Sequence, residues 1–357
     1  MAQHQLRSSW HNGAVSVIRL GIWGCGAMGL YHAKRFSSLP GVSLVSCFDR
    51  EPAKARELAA AGAIQHPARS LEEFLTDCDA VTCALIDRDH ASAAQRVAQA
   101  GLALFMEKPL GRTAAETAEV VAQFRPSGMP FVVNFSKRNA PALPFAKAFL
   151  AQGRLGQIVS ARFSYLQSWM VDPVWGDWRS ESRWQWRTSD SLSCHGVLGD
   201  LVSHLADAAR FLLGPDPAPS IASAKGRRSP VEGNWGGAWD EVLVEGHAGP
   251  RLVPVVFEAS RRAQGSLDAM TITLEGTDGT LSLDLENHRA EVLWRSRFSQ
   301  TEEWLPCPTT SSTYEGFVDL LLGKQPAPVP PGATDGHAVQ EFLDLAHQKL
   351  LESEGSS

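Results

Sequence analysis

The sequence has few of the features that mark exported, membrane-spanning or nucleic-acid-binding proteins. Its six cysteines include no CxxC pair, which argues against a zinc ribbon and indicates a reduced, cytoplasmic protein. No run approaches the roughly 18 apolar residues of a membrane span, and residues 1–15 have no apolar signal-peptide core. Basic charge is not in excess, since the net charge is −6, so neither a membrane nor a nucleic acid is expected as a partner.

Two catalytic motifs that are common in α/β proteins are also missing. Neither a GxSxG nucleophile elbow nor a GxxxxGK[ST] phosphate-binding loop occurs, which disfavours hydrolysis by an activated serine and P-loop phosphate chemistry. What remains is an ordinary globular composition, 44% hydrophobic and 20% charged, over 357 residues. That length predicts two domains.

The pattern of apolar runs changes once along the chain. Up to about Asn139, strand-like runs such as VIRLGIWG, VSLVSCF and LALFME alternate with alanine-rich helical patterns, which predicts a parallel sheet covered on both faces. Beyond it, runs such as DEVLVEGHA, MTITLEGT and GTLSLDLE predict an antiparallel sheet. We therefore expect an α/β fold with domains at 16–139 and 140–351, a last helix at about 334–351, a flexible extension at 1–15 and a tail at 352–357.

A glycine-rich turn closes the first predicted strand and opens the first predicted helix. It consists of Gly24, Cys25, Gly26, Ala27, Met28 and Gly29. In a βαβ unit, the first glycine of GxGxxG permits a tight turn, the second lets the backbone approach a pyrophosphate, and the third allows the helix to pack closely on the strand. The turn therefore predicts a dinucleotide-binding domain.

The choice between NAD and NADP depends on the end of the second predicted strand. Asp49 lies 20 residues after Gly29, where a carboxylate accepts hydrogen bonds from ribose hydroxyls; the alternative is a turn aspartate before a helix. A carboxylate at this position repels a 2′-phosphate, which favours NAD. Arg50 beside it keeps NADP open, because a guanidinium pairs well with phosphate.

Two other short segments carry ionisable side chains suited to catalysis. Glu107 ends the strand-like run LALFME and Lys108 follows it, at the edge where open α/β sheets bind ligands, unless the two form only a solvated strand end. Asp200 and His204 are spaced i, i+4 on a helix predicted over about 197–213, so they share a face. An imidazole oriented by a carboxylate suits a general base, although the same spacing is typical of a surface ion pair.

A metal centre is the other chemistry that the DxxxH spacing permits. Zinc would need a third ligand from His195 or Asp207, and no cysteine pair or second histidine cluster supports such a site. No metal is therefore expected.

The motifs in combination are more specific than any one of them. The segments GCGAMG, MEKPLG and GDLVSHLADAARFLLG, in this order, resemble the glucose-fructose oxidoreductase/inositol dehydrogenase/MocA family, from about Val17 to Leu351. The resemblance implies a Rossmann domain at 16–139. It also implies, at 140–351, a substrate-binding domain whose large, open, mostly antiparallel sheet builds a homodimer or homotetramer.

The resemblance implies a mechanism and further contacts. His204 takes the proton of a secondary alcohol while hydride passes to the nicotinamide, Asp200 holds the imidazole, and Lys108 stabilises the developing charge on the oxygen. Besides the glycine turn, Asp49 and Arg50, the cofactor is expected to contact Leu85, His90, Glu107 and Lys108.

Two positions depart from the family pattern. Where relatives often carry Thr-Pro-Asn this chain has Leu85-Ile86-Asp87, which puts the contact from this loop to the nicotinamide in question. Where a glycine-rich stretch is usual before the GDxxxH helix, this chain has His195, which is either a substrate contact or an ordinary loop histidine.

The segment from residue 169 to 187 is rich in tryptophan and arginine. Aromatic faces with hydrogen-bonding neighbours suit the C–H face of a sugar or cyclitol, although several of these rings are expected only to pack. The residues expected to contact substrate are Trp169, Trp186, Arg187 and His195, together with Lys108, Asp200 and His204.

The sequence therefore predicts an NAD(P)-dependent oxidoreductase acting on a secondary hydroxyl of a sugar, a sugar derivative or an inositol, or on the corresponding ketone in reverse. Two alternatives stay open. One is an oxidoreductive glycosidase, which oxidises its sugar transiently and returns the hydride. The other is a sensor that binds dinucleotide without chemistry.

Overall fold

A computed structural model describes residues 17–62, 64–216, 219–230, 236–286, 290–299 and 301–355. The extension expected at 1–15 lies outside these residues. The chain divides into two compact units, an N-terminal unit and a C-terminal unit. The N-terminal unit contains residues up to Gly111, Ala115–Asn134 and Ser311–His337, and the C-terminal unit contains Arg112–Ala114, Phe135–Thr310 and the chain from Ala338.

The sheet of the N-terminal unit has six strands, all parallel, in the order β3-β2-β1-β4-β5-β6. This confirms the predicted parallel sheet. The order reverses between β1 and β4, and in open α/β sheets the carboxyl ends of the strands at such a reversal form the ligand-binding crevice. The strands are β1 Ile18–Trp23, β2 Val42–Phe48, β3 His66–Pro67, β4 Ala80–Cys83, β5 Ala103–Glu107 and β6 Phe131–Asn134.

Five helices connect these strands. Because helices cover the sheet, the central strands are mostly apolar, and every residue of β4 is buried. The helices are α1 Ala27–Ser37, α2 Pro52–Ala61, α3 Leu71–Asp77, α4 Asp87–Ala100 and α5 Ala114–Phe124.

The sheet of the C-terminal unit has eight strands in the order β14-β13-β12-β11-β7-β10-β9-β8. Only β7 and β10 pair in parallel, so the predicted, mostly antiparallel sheet is confirmed. The strands are β7 Ile158–Gln167, β8 Ser220–Arg228, β9 Trp239–Ala248, β10 Val253–Ser260, β11 Asp268–Gly276, β12 Gly279–Asp284, β13 Glu291–Ser296 and β14 Glu302–Pro306.

Three helices of the C-terminal unit precede its eight-stranded sheet's later strands: α6 Ala142–Ala151, α7 Ser182–Gln185 and α8 Ser203–Leu213. One π-helical turn, Leu198–Val202, precedes α8. The prediction of a continuous α-helix over 197–213 was therefore wrong, because residues 198–202 form a π-helical turn. The N–H of Gly199 donates to the carbonyl of Cys194, five residues back, and a Cβ at Gly199 would lie 2.6 Å from the Cβ of Cys194.

Residues 311–337 belong to the N-terminal unit, whereas the sequence placed them in the second domain. Helix α9, Thr313–Leu321, begins at a capping box formed by Ser312 and Glu315. Its Tyr314 and Phe317 are buried in the same core as Phe36 and Phe105, which is why the segment packs with the first sheet.

The last helix, α10, spans Ala333–Glu354, so residues 352–354 are helical rather than tail. Lys349 donates to Glu352 at 2.9 Å, and Arg228 donates to Glu354 at 3.0 Å, which holds the final turn. Among the described residues, no helix combines the length and apolarity needed to cross a bilayer.

Candidate functional site

The glycine-rich turn between β1 and α1 has the geometry that each glycine position requires. Gly24 has a φ of +98°, and a Cβ on it would lie 2.4 Å from the carbonyl oxygen of Ala84. A Cβ on Gly29 would lie 2.0 Å from the carbonyl oxygen of Gly24, so only glycine lets α1 approach the turn this closely. A Cβ on Gly26 would meet nothing within 4 Å. The backbone at Gly26 is therefore open to a phosphate at the start of α1.

Asp49, just after β2, is tied to the same turn. Its Oδ2 accepts the N–H of Cys25 at 2.8 Å and its Oδ1 accepts the N–H of Glu51 at 2.9 Å. Each carboxylate oxygen keeps a second lone pair for a ribose hydroxyl. Arg50 is exposed, and its Nη1 lies 4.0 Å from Oδ2 of Asp89. The open backbone at Gly26 and this carboxylate together fit a bound dinucleotide.

His90, on α4, joins two backbone segments of the N-terminal unit. Its Nδ1 lies 2.6 Å from the carbonyl oxygen of Pro109, and its Nε2 lies 3.1 Å from that of Leu85. The side chain is buried, so the ring holds the loop after β4 against the segment after β5. Direct contact of Leu85 and His90 with the cofactor stays a prediction.

Glu107, at the end of β5, is the centre of a buried polar network. Asn134 donates to its Oε1 at 2.7 Å, and the Nε2 of His32 lies 3.1 Å from the same oxygen. Burial raises the pKa of the Glu107 carboxyl, but the contacts with His32 and Asn134 outweigh this effect and hold the pKa below its usual value. Glu107 is therefore ionised and held in place at the end of β5, directly before Lys108. The peptide bond between Lys108 and Pro109 is cis.

In the C-terminal unit, Asp200 lies on the π-helical turn and His204 lies in the first turn of α8. Asp200 Oδ2 accepts a hydrogen bond from Nη2 of Arg261 at 2.9 Å. His204 is 5% exposed, and its ring meets the edges of Phe135 and Tyr165 at centroid distances of 6.1 and 6.0 Å. The two side chains predicted from the DxxxH spacing are thus held on one short, buried segment.

Tyr165, which contacts His204, belongs to a network of buried and half-buried polar groups. The hydroxyl of Tyr165 donates to Asp268 at 2.7 Å, and Gln167 donates to the same oxygen at 2.7 Å. Lys137 pairs with Asp268 at 3.1 Å and also with Glu286. Burial and the Asp268 charge raise the pKa of Tyr165, so its hydroxyl keeps its proton.

Several rings of the tryptophan-rich segment pack against one another. Trp175 stacks on Trp184 at 6.1 Å, and Trp184 lies 5.6 Å from Trp169. The Arg187 guanidinium lies over the rings of Trp184 and Trp186, at 5.0 and 4.4 Å. Trp169 is only 2% exposed and donates to Gln167, whereas Trp186 and Arg187 are half-buried. Their contacts with substrate stay predictions.

His195 and Asp207 have structural partners in the same unit. His195 has a φ of +53°, stacks on His347 at 3.7 Å and lies 3.4 Å from Asp190. Burial, with the neighbouring His195, lowers the pKa of His347 to about 4. Both carboxylate oxygens of Asp207 accept from Arg138, at 2.6 and 2.8 Å. Within the described ranges, no group of three or more His, Cys, Asp or Glu could hold a metal ion.

Comparison with protein families accounts for both units. The model of an oxidoreductase family with an NAD-binding Rossmann fold matches residues 18–135, and that of the GFO/IDH/MocA C-terminal domain matches residues 145–282. The chain belongs to the GFO/IDH/MocA family of oxidoreductases. The family predicted from the three motifs is thereby confirmed, as is an NAD-binding Rossmann domain at the N-terminus.

Curated GFO/IDH/MocA relatives are named as sugar and polyol dehydrogenases. Levoglucosan dehydrogenase of Pseudarthrobacter phenanthrenivorans is 28% identical over 298 residues, which cover 75% of this chain and 74% of that protein. Inositol 2-dehydrogenase of Rhizobium meliloti is 27% identical over 345 residues, covering 94% and 97%.

Solved structures of the family share the fold across nearly the whole chain. A levoglucosan dehydrogenase in complex with NADH and levoglucosan has a TM-score of 0.82 at 23% identity and covers 94% of this chain and 98% of that one. An inositol dehydrogenase homologue from Azotobacter vinelandii, complexed with NAD+, has a TM-score of 0.80 at 17% identity, with coverage of 94% and 96%. The predicted α/β fold class is confirmed.

Sequence reasoning missed several residues that contact the predicted site residues. Arg261 and Tyr165 come from β-strand regions far along the chain from Asp200 and His204, and no local spacing connects them. His32 and Tyr314, which lie 3.3 Å apart through Nδ1 and the hydroxyl, belong to the Glu107 network. A signal did exist for α9, because Ser312 and Glu315 have the spacing of a capping box.

Proposed function

We propose that this protein is an NAD-dependent dehydrogenase that oxidises a secondary hydroxyl of a sugar, a sugar derivative or an inositol, or reduces the corresponding ketone. The observation that carries the proposal is the pairing of two intact sites in one family member. The glycine turn has an open backbone at Gly26, and the GDxxxH segment holds Asp200 in a hydrogen bond with Arg261 and keeps His204 buried.

The dinucleotide is held by the turn of the N-terminal unit. The N–H groups at the start of α1 would bind the pyrophosphate, and the Asp49 carboxylate would accept hydrogen bonds from the ribose hydroxyls. Exposed Ala27 and Met28 border the same turn, and Cys25 fixes it to Asp49 through its own N–H. When bound, NAD supplies the hydride acceptor.

The protein's own groups manage the proton and the charge on oxygen. The imidazole of His204 takes the hydroxyl proton, and Asp200 favours the imidazolium that forms. The ammonium of Lys108 donates a hydrogen bond to the same oxygen, which stabilises its developing negative charge.

A hydroxylated ring is the substrate class that the C-terminal unit supports. Half-buried Trp186 and the Arg187 guanidinium over it combine an aromatic face with hydrogen-bond donors, a combination that suits a cyclic polyol. The curated relatives act on levoglucosan and inositol, according to their names. Self-association through the eight-stranded sheet, as a dimer or tetramer, is part of the same proposal.

The direct test is to mix the protein with NAD or NADP and a panel of aldoses, inositols, anhydrosugars and acidic sugars. We expect absorbance of the reduced nicotinamide to rise with one of these classes and NAD. Bound dinucleotide with no absorbance change on any substrate would contradict the dehydrogenase. Release of a glycoside's leaving group in that case would identify transient oxidation, and no reaction at all would identify a sensor.

Replacing Asp49 with Asn tests the assigned cofactor. The amide keeps an oxygen that can accept the Cys25 N–H but removes the charge that repels a 2′-phosphate, so the preference for NAD over NADP should fall by about tenfold, or ~1.4 kcal/mol. The ratio of the two dissociation constants, from fluorescence titration with each reduced cofactor, measures this change. Asp79→Asn is the control, because Asp79 also accepts a backbone N–H, that of Arg19, away from the turn. An unchanged ratio in Asp49→Asn would refute this role of Asp49.

A further inference from the structure

Arg261, just after β10, is a fully buried arginine that belongs to no predicted motif. Its side chain is 0% exposed. Nη2 donates to Asp200 Oδ2 at 2.9 Å, and Nη1 donates to the carbonyl oxygen of Arg187 at 2.9 Å. The guanidinium also lies over the ring of Trp169, 5.3 Å from its centroid. One side chain therefore contacts the GDxxxH segment and the tryptophan-rich segment at once.

The backbone of Arg261 is fixed as firmly as its side chain. Its N–H donates to the carbonyl of Asp240 at 3.0 Å, and its carbonyl accepts the N–H of Met170 at 3.1 Å. A planar guanidinium offers donors in a rigid fork, so two acceptors at 2.9 Å determine its orientation. Asp200, in turn, meets a donor of fixed position and permanent positive charge.

Burying the positive charge of Arg261 costs free energy of folding unless the charge is paired with a carboxylate. Asp200 supplies the pairing carboxylate, and Asp240 is a second buried carboxyl nearby, 3.7 Å from Nη1 of the neighbouring Arg262. Burial raises the pKa of Asp240, and the charges of Arg261 and Arg262 oppose that shift. Arg262 is 26% exposed and makes its ion pair with Asp240, so the two adjacent arginines do different things.

We propose that Arg261 is a positioning residue for the reaction: it fixes the carboxylate of Asp200 and sets the backbone at Arg187, so that the proton-transfer segment and the substrate-recognition segment share one anchor. This proposal deepens the proposed function and rests on it. Arg261 acts through Asp200 and Arg187 and needs no contact with substrate. The substrate class it serves is the cyclic polyol already proposed for the tryptophan-rich segment.

The test compares Arg261→Lys and Arg261→Gln with the wild type and with Arg262→Gln, which removes an equal charge one residue away. Lysine keeps the positive charge but cannot serve both acceptors, so we expect kcat to fall by about 10²-fold, as for a misplacement of about 1 Å. The dissociation constant for NADH, measured by fluorescence, should stay within about twofold, because the cofactor turn is not altered. Arg262→Gln should keep wild-type kcat.

Asp200→Asn provides the second arm. If Arg261 acts through Asp200, then Arg261→Gln should lower kcat much less in the Asp200→Asn background than in the wild type. Equal factors in both backgrounds, or Arg261→Lys with wild-type kcat, would overturn the proposal. Should Arg261→Gln not fold, Arg261→Lys is combined with Asp200→Asn in its place.

The experiments distinguish a failure of the proposed dehydrogenase function from a failure of the positioning role of Arg261. If the wild type and Arg262→Gln reduce no NAD with any polyol, the proposed function is wrong. The contact itself is then tested by the melting temperatures of the wild type, Arg261→Lys, Asp200→Asn and the double variant. A loss in the double variant smaller than the sum of the single losses supports the anchor, and strictly additive losses contradict it.

Discussion

His204→Gln lowers kcat for polyol oxidation by about 10²- to 10⁴-fold, the usual contribution of a positioned proton-transfer group. Glutamine can donate and accept hydrogen bonds but cannot take the hydroxyl proton at neutral pH. NADH affinity stays at the wild-type value, because the substitution leaves the glycine turn and Asp49 unchanged. Steady-state kinetics and NADH titration on the same preparations measure both effects.

His247→Gln is the matched control for this variant. His247 is an exposed histidine of β9, in the same unit as His204, so its loss leaves kcat unchanged. If His204→Gln turned over polyol at the rate of the control, another group would have to be the base, and the assignment of His204 would fail.

Lys108→Met lowers kcat by about 10²- to 10³-fold, the effect of removing one donor that stabilises a developing oxyanion. Methionine has a similar length but carries neither a charge nor a donor. The variant should also leave Glu107 in place, because that carboxylate is held by Asn134 and His32. Kinetics at saturating NAD, with circular dichroism to verify the fold, measure the change.

Lys34→Met is the corresponding control in the N-terminal unit. Lys34 is an exposed lysine in the last turn of α1, and its removal changes the net charge by the same amount. A Lys108→Met enzyme as fast as Lys34→Met would show that the reacting oxygen does not depend on the ammonium.

The parts of the structure that the sequence predicted well are those in which a local pattern has a single physical meaning. Helices and short apolar runs at regular intervals predicted a parallel sheet, and all six strands of the first sheet are parallel, although their order was not predicted. The glycines at 24 and 29 were predicted from what a turn and a close packing require, and the backbone has those features. The family followed from three motifs in order.

The parts that were not predicted are those in which the partner is distant in sequence or the pattern is weak. The edge strands β8 and β14 were missed because each pairs on one side only and alternates poorly. Helix α9 packs in the N-terminal core, yet nothing local tells that residues 311–337 return there. The π-helical turn at Asp200 depends on close packing at Gly199, and a spacing of i, i+4 does not reveal it.

Arg261 is the clearest example of a residue whose partners are distant in sequence. The residue stands 61 positions from Asp200 and 74 from Arg187, so only the tertiary packing of the C-terminal unit brings them together. In the sequence it is one of two adjacent arginines at the end of a strand-like run, and burial alone distinguishes it from Arg262.

The central claim is that hydride leaves a carbon of a polyol for NAD, and transfer of deuterium measures it directly. A substrate found in the panel, deuterated at its CH–OH carbons, is incubated with NAD and the enzyme, and the cofactor is analysed by mass spectrometry. The account predicts reduced cofactor that is heavier by a single deuterium, in an amount equal to the ketone formed. Cofactor without deuterium, or label that returns to the sugar product, would contradict it.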